Sequence, residues 1–504
     1  MTAKVTSRRL VLKQLATLTA LGAVGIFHSG SALAKAATEK LYGTKIPGVT
    51  GKVIGKQDSN YELWRRAMIW HHYKPKRFPD LIVQALSPED VIAAVKYAAE
   101  KKLKVSVRAG GHNSTGTSLR QGGMVIDVSA LEGIEIDTLK QVASIQPGVR
   151  SMALTLAAEQ EGLSFPVPHC PSVGLSGFCL GGGLGWNGPQ RGGMSTHSIV
   201  GAEVITADGQ VLNVSATENP ELYWAVRGAG AGFFGVVTRL DLQLYPTPKA
   251  IVASSYIVPL AQLELVTSTL EKVRKEYDVS RVELIIVLMQ HPEAPPETPS
   301  EDSRIAFFTA FAFEESVDKA RAILKPFAES ELAGKSMQKF EYQEFNQVEM
   351  YDRYFSLRDP AGRQGRYKVD NVLTDNGSGT LLALADHFRT APSKDCHILA
   401  SYNMNIQHKE DSCFSWVADC YVGCYAIWDD EGNDDQNYEW LGKTLPLMDP
   451  FAVGHYPNEI EPRHTDRYRK CYSEENWARL QELRSKYDPN GVFHTYLTRE
   501  EAMY

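Results

Sequence analysis

The sequence predicts an α+β protein built as two units, and three observations carry that expectation. Up to about Pro246, short strand-like runs and amphipathic helical stretches share the chain. From about Ala250, longer apolar runs with strand character take over, with amphipathic helical segments between them. A chain of 504 residues, 43% hydrophobic and 22% charged, has enough apolar material for more than one core.

Residues 1–34 read as a leader rather than as part of the fold. A basic start is followed by an apolar run from Leu15 to Phe27, too short to span a bilayer, and a small-residue end at Ala32-Leu33-Ala34 suited to signal cleavage. The Arg8-Arg9 pair within Ser-Arg-Arg-Leu-Val-Leu-Lys resembles a twin-arginine signal. An ordinary secretory signal that happens to hold two arginines is the alternative. The expectation is an exported protein, periplasmic or extracellular, handed to export machinery after any cofactor is loaded, with no membrane insertion.

The elements follow in order. "DLIVQAL" (80–86) reads as a strand, and "SPEDVIAAVKYAAEKK" (87–102) as a helix with Ser87 as N-cap, Pro88 at the first position and Asp90 completing a capping-box pattern. "KVSVRAGG" (104–111) is a strand running into a glycine loop. "MVIDVSAL" and "QVASIQPG" are strands, "SMALTLAAEQEG" a helix, and "GAEVITADGQVLNVSA" a hairpin turning at Asp208-Gly209. In the second unit "VELIIVLMQ", "IAFFTAFAF" and "HILASYNMNI" are strands and "ESVDKARAILKPFAE" is a helix. The Pro- and acid-rich "HPEAPPETPSEDS" is a surface loop, and "ENWARLQELRSKY" is a closing helix.

Charge and cysteine usage exclude several classes. Loss of residues 1–34 removes four cations and no anion, taking the formal charge from −7 to −11, which argues against a nucleic-acid partner. Seven cysteines are too few for a disulfide scaffold, although a Cys420/Cys424 bridge is conceivable. Cys413, Cys420 and Cys424 with His408 match no compact zinc spacing, so no metal is expected.

Two glycine-rich runs hold the chemistry: "VSVRAGGHNSTG" (105–116) and "HCPSVGLSGFCLGGGLGWNG" (169–188). The second contains Gly183-Leu184-Gly185-Trp186-Asn187-Gly188, which fits the G-x-G-x-x-G dinucleotide fingerprint. Its context fails, because no convincing strand precedes it and Pro and Gly stand where a helix should open. The pattern also recurs at Gly230 to Gly235. Taken together, the two runs resemble the berberine bridge enzyme-like group of the vanillyl-alcohol-oxidase flavoprotein superfamily, as do "ELYWAVRGAGAGFFGVVTRLDLQLYP" and "ENWARLQELRSKYDPNGVF". The resemblance implies a PCMH-type FAD-binding domain over residues 35–249 and a substrate domain over 250–445, with an antiparallel sheet covered by helices. A C-terminal berberine-bridge-like segment over 446–504 would return to the FAD domain.

It also implies a bicovalent FAD, with His112 bonded to the flavin 8α-methyl group and Cys170 to flavin C6. Arg108, Ala109, Gly110, Gly111, Asn113 and Gly116 would form the phosphate-binding loop, glycine allowing backbone N–H groups to approach a pyrophosphate. Val173, Gly174, Gly181, Gly182, Gly185, Val237 and Asn476 complete the expected cofactor contacts. Cys179 is expected to be a buried bystander thiol. Val173 matches a position that in this family governs oxygen access, and a small residue there suggests an oxidase. Relatives carry a Tyr-x-Asn-Tyr-like element whose second aromatic acts as base; here the text is Tyr456-Pro457-Asn458-Glu459, so glutamate replaces tyrosine. Glu459 and Tyr456 are equal candidates for the base, with Tyr402 in support. His197 stands where relatives often have aspartate.

The function implied is an exported FAD-dependent oxidase that moves hydride from the carbon of a small alcohol, sugar or phenolic to the flavin and passes the electrons to O2, giving H2O2. A dehydrogenase using a quinone or other acceptor, or a non-catalytic exported flavoprotein, is the alternative. Aromatic richness at Trp416, Tyr421, Tyr425 and Trp428 suits ring stacking in a substrate pocket and suits a plain core equally.

Overall fold

Four short strands form the first sheet: β1 (Lys52–Gly55), β2 (Leu81–Gln84), β3 (Val105–Arg108) and β4 (Met124–Asp127), in the order β1-β2-β4-β3. They belong to a computed structural model that describes residues 44–295, 298–299, 303–351, 365–464 and 467–503; the expected leader, residues 1–34, lies outside the described residues. β2, β4 and β3 pair in parallel, and β1 closes the edge antiparallel. Parallel neighbours need a crossover, and helix Pro88–Lys101 lies between β2 and β3 in the chain. Ser87 caps it by accepting from the Asp90 N–H, and Lys102 ends it in the left-handed region at φ 55°. The Asp90 carboxylate does not complete the expected capping box with Ser87. It accepts instead from the N–H groups of Thr50 (2.6 Å), Gly51 (3.0 Å) and Leu86 (2.8 Å), which ties the approach to β1 onto the helix.

A second sheet is antiparallel: β5 (Ile134–Asp137), β6 (Val142–Ile145), β8 (Ile199–Ile205), β9 (Val211–Val214) and β10 (Val236–Gln243), ordered β5-β6-β10-β8-β9. β7 (Leu163–Ser164) and β11 (Tyr245–Pro246) make a small ribbon beside it. The β8–β9 hairpin turns through Gly209 at φ +76°.

The third sheet has seven antiparallel strands: β12 (Ala250–Pro259), β13 (Glu283–Gln290), β14 (Arg304–Glu314), β15 (Gln338–Phe345), β16 (Arg366–Thr374), β17 (His397–Tyr402) and β18 (Cys420–Trp428), in the order β15-β12-β14-β13-β17-β18-β16. One face packs against helices Leu263–Glu276, Val317–Ala328, Gly377–Arg389 and Asp434–Met448, burying Leu284, Phe308, Val422 and Leu384. The other face joins the core of the second sheet through Ile285, Val287 and Phe311. Burial on both faces explains why these strands read as continuous apolar runs instead of alternating ones.

Strand alternation then decides which side chains reach the interface between the units. On β17, His397, Leu399 and Ser401 face a deep cleft, while Ile398, Ala400 and Tyr402 enter the helix-covered core. On β18, Tyr421, Tyr425 and Ile427 face the cleft, whereas Cys420, Val422, Cys424 and Trp428 enter that core. Cys420 and Cys424 form no bridge; the Cys424 thiol lies 3.5 Å from the Met448 sulfur. Cys413 belongs to the other core, so the three cysteines do not meet.

After helix Asp434–Met448 the chain leaves the third sheet and returns to the first. Val105 donates to the Val492 carbonyl at 2.7 Å, and His494 donates to the Val105 carbonyl at 2.9 Å, which extends the first sheet beyond β3. Helix Glu474–Tyr487 packs Leu480 and Leu483 into the core shared with Trp224 and Phe234.

Candidate active site

The cleft between the units, about 360 Å3 in volume, is where the two glycine-rich runs meet. The run leaving β3 contributes Arg108 to Ser114, and the run around Cys170 contributes Pro168 to Cys170 and Val173 to Phe178, apart from Leu175. The two backbones touch: a Cβ on Gly110 would lie 2.8 Å from the Gly174 Cα, and a Cβ on Gly174 would lie 2.7 Å from the Gly110 Cα. Each position needs glycine because its neighbour is backbone that cannot move aside. A second tie joins the runs, since His112 Nε2 lies 3.3 Å from the Ser172 hydroxyl. Arg108 pairs with Asp127 at 3.1 Å rather than standing as a surface charge.

These residues fit FAD. The cleft is walled by glycine-rich backbone at one end, and it holds two polar atoms with no protein partner, Ser114 Oγ and His494 Nε2. Such orphans are costly unless a ligand satisfies them. Burial pushes the His494 imidazole down to about 4, so it is neutral near pH 7. His112, Cys170, Asn113, Ala109, Gly111, Val173 and Val237 all line the same cleft. FAD bound here would be held by the 108–114 loop and the 168–177 segment.

Glu459 stands farther along, with Tyr456, Tyr421, Tyr425 and Tyr367. The Tyr421 and Tyr425 hydroxyls both donate to Glu459 Oε2, the latter at 3.2 Å, and lie 2.9 Å from one another. Burial pushes the Glu459 carboxyl above the usual range, while the two tyrosine bonds and the nearby His169 pull it down. Burial and the Glu459 charge push both phenols well up, so they remain neutral donors. Tyr456 differs from Glu459. Its hydroxyl takes a hydrogen bond from Asn458 Nδ2 at 3.0 Å and lies against the Gly183-Leu184 backbone. Asn371 on β16 fixes the turn that carries both candidates: its Nδ2 donates to the Tyr456 (3.0 Å) and Glu459 (2.8 Å) carbonyls, and its Oδ1 accepts from the Tyr456 N–H.

A pair with one fully buried member, Glu283, lies beside Cys170. His169 Nε2 is 2.8 Å from Glu283 Oε1, and Glu283 Oε2 accepts from the Asn187 N–H at 3.0 Å. Glu283 sits on β13, so this pair ties the seven-stranded sheet to the cysteine run.

Several expected site residues stand elsewhere. Tyr402 points to the opposite side of β17, where its hydroxyl is 3.4 Å from Ser378 and its ring lies under Arg274; it cannot serve the cleft. Asn476 donates to the Cys413 carbonyl and the Ser415 hydroxyl, fastening the C-terminal helix to that loop instead of holding cofactor. Gly116, Gly182 and Gly185 shape the loops without lining the cleft. Gly181 does not line it either, but a Cβ there would fall 2.0 Å from the Asn458 amide oxygen, so it makes room for that side chain. Cys179 is buried and its thiol pushed up by burial, a structural role. His197 is buried outside the cleft, its Nδ1 3.3 Å from the Gly192 carbonyl, and nothing in the structure explains the histidine there. Of the four aromatics, Tyr421 and Tyr425 reach the cleft. Trp428 instead donates to Asp434 behind the sheet, and Trp416 packs against Gly454.

The sequence reading missed Asn371, Asn458, Tyr367 and the His169–Glu283 pair. Asn458 and His169 lay inside segments already singled out; Asn371, Tyr367 and Glu283 sit on strands whose facing cannot be read until the register is known.

Comparison with known proteins agrees with this site. The "FAD binding domain" family matches residues 79–215, and the "Berberine and berberine like" family matches residues 455–497. The FAD-linked oxidoreductase janO of Penicillium janthinellum is 27% identical over 455 residues, 88% of this chain and 96% of that protein. The (R)-6-hydroxynicotine oxidase of Paenarthrobacter nicotinovorans is 41% identical over 205 residues, 41% of this chain and 44% of that protein. Among solved structures, 6-hydroxy-D-nicotine oxidase from Arthrobacter nicotinovorans superimposes with a TM-score of 0.75 at 24% identity, covering 89% of this chain and 97% of that one. A glycine-lined cleft that fits FAD, two matching family segments and a relative aligned over nearly its full length agree: this chain is an FAD-linked oxidoreductase that carries an FAD-binding domain and a berberine-like C-terminal segment.

Proposed function

We propose that the protein is an exported oxidase that carries FAD covalently on His112 and Cys170, oxidises a small alcohol, sugar or phenolic substrate, and passes the electrons to O2 to give H2O2. The observation that carries this reading is Glu459, a half-buried carboxylate in the same cleft as His112 and Cys170, held by two neutral tyrosines. Bound FAD supplies the hydride acceptor and its reoxidation by oxygen.

The chain's own residues do the rest. Glu459 takes the proton from the substrate O–H, and the raised affinity that burial gives it suits a base working near neutral pH. Tyr421 and Tyr425 hold the carboxylate in place through Oε2, leaving Oε1 to meet the substrate. Tyr456 is less suited to the role: burial pushes its phenol up, and its oxygen already takes the Asn458 bond. Tyr367, Leu399, Val369 and Ile427 give the cleft an apolar wall that excludes water and presents ring faces to a planar or pyranose substrate. Val173, small and beside Cys170, leaves room for oxygen, which supports oxidase over dehydrogenase. The Arg8-Arg9 leader supports export after cofactor loading.

Peptide mass spectrometry of the mature protein, followed by a substrate panel in air with peroxide detection, tests the proposal. FAD mass on both the His112 and Cys170 peptides, with stoichiometric peroxide from at least one panel member, is the expected result. A protein with no bound flavin that cannot be reconstituted would overturn it. Turnover on a dye with slow reoxidation in air would make it a dehydrogenase.

A further inference from the structure

We infer that Trp70 is a positioning residue for the attachment of FAD to His112. This rests on the covalent reading proposed above and concerns a segment outside both matched family regions.

His112 lies on a stretch with neither helix nor strand, directly after Gly110 and Gly111, so local structure does not fix its ring. A nitrogen of that ring has to meet one methyl carbon of the cofactor, and a misplacement of about 1 Å is enough to slow such a step by about a hundredfold. The segment 68–71 supplies what the loop lacks. The Trp70 indole stacks on the His112 imidazole, centroids 4.9 Å apart and planes 25° from parallel. Its Nε1–H donates to the His112 carbonyl at 2.7 Å, and its backbone N–H donates to the Gly111 carbonyl at 3.2 Å. Next to it, His71 Nε2 lies 2.9 Å from the Ser114 carbonyl; two residues before Trp70, the Met68 carbonyl accepts from Arg108 Nε at 3.4 Å.

The loop is thus gripped on both sides of His112. Trp70 covers one face of the ring, and the Ser172 hydroxyl meets Nε2 at its edge. Trp70 is itself braced from the substrate sheet by the Tyr367 ring, 5.1 Å away and inclined at 67°. An N–C8α bond forms while the imidazole N–H and one methyl C–H break. The two electrons and both protons go to the isoalloxazine, and O2, the oxidant of the proposed turnover, takes them off as H2O2.

The test compares purified holo-protein of the wild type, Trp70→Phe and Trp70→Leu, measuring FAD mass on the His112 and Cys170 peptides separately. The Cys170 link reports that the cleft has folded and taken up flavin. With Trp70→Leu the His112-linked fraction is expected to fall about tenfold or more while the Cys170-linked fraction holds. With Trp70→Phe, which keeps a ring to stack but loses the N–H, the His112 link should stay within about twofold of wild type. Full His112 linkage in Trp70→Leu overturns the inference. So does equal loss in Trp70→Phe, which removes stacking as the cause, or parallel loss of both links, which makes Trp70 only a folding residue. A wild type with no flavin on His112 would instead refute the covalent reading itself.

Discussion

Replacing Glu459 by Gln tests the centre of the proposed chemistry while disturbing little else. Gln keeps the shape of the side chain and an oxygen for the Tyr421 and Tyr425 hydroxyls, but it cannot accept a substrate proton. General-base catalysis contributes about 10² to 10⁴ in rate, so flavin reduction should slow by that factor, roughly 3–5 kcal/mol in barrier. The pH dependence carries the sign. The base works only when ionised, and burial raises its affinity for a proton, so the wild-type rate should fall tenfold per unit as pH drops below the raised Glu459 value. That acid limb should vanish in Glu459→Gln. Tyr425→Phe should instead keep the limb and move it to higher pH, because it removes a hydrogen bond that favours the charged carboxylate. Tyr456→Phe should cost less than about tenfold, because its hydroxyl meets Asn458 and backbone and no substrate proton. The assay is anaerobic reduction of the visible flavin band by the best substrate of the panel. A Glu459→Gln enzyme that keeps both wild-type rate and acid limb refutes the assignment, as does a Tyr425→Phe limb displaced to lower pH.

Gly174→Ala should yield protein with less than about a tenth of the wild-type flavin content, because the new methyl meets the Gly110 backbone; the ratio of visible to protein absorbance checks it. Burial and the Arg467 charge hold His455 at about 4 against an ordinary 6.5, so its contribution to stability is present above 6.5 and is lost as pH falls through 4. That site is worth about 3 kcal/mol across the window, and His455→Asn should flatten the pH dependence of the urea midpoint between these values. Arg467→Met should destabilise by about 3–5 kcal/mol, since it leaves the fully buried Asp370 without its cation partner. A urea midpoint within error of wild type would refute that pairing as a stabilising element. Asn371→Ala should raise KM and lower kcat together by releasing the turn that carries Glu459; steady-state kinetics on the panel substrate checks it.

Much of the fold was legible because its signals are local. The Ser87–Pro88 start, the Asp208-Gly209 turn and the glycine spacing around His112 and Cys170 each follow from what one or two residues do to the backbone nearby. What the sequence could not show depends on partners far away along the chain. Asp90 completes a capping pattern on paper, yet its carboxylate serves Thr50 and Gly51, about forty residues earlier. Tyr402 and Tyr421 are both tyrosines in apolar strands, and only the register of β17 against β18 and β13 sends one into the helix-covered core and the other to Glu459.

The same distinction separates the two halves of the site. The cofactor half is built from contiguous runs, so Gly110, His112, Cys170 and Gly174 could be named together before any contact was known. The substrate half is assembled from single residues on β16, β17 and β18 and the 456–459 turn, one inward position at a time, and no run in the sequence spells it. Changes at inward positions such as Leu399 and Ile427 alter the wall of such a cleft while leaving both the helix-covered core and the glycine-rich runs untouched. Glu459 sits at the join. Its backbone carbonyl is held by Asn371 from the substrate sheet, while Asn458 beside it accepts through its own carbonyl from Asn113 of the cofactor loop at 3.1 Å. The base proposed here is thus anchored to both halves, so it would keep its place relative to the glycine-rich runs when the pocket wall changes, and that is the geometric condition for one oxidation chemistry to serve different substrates.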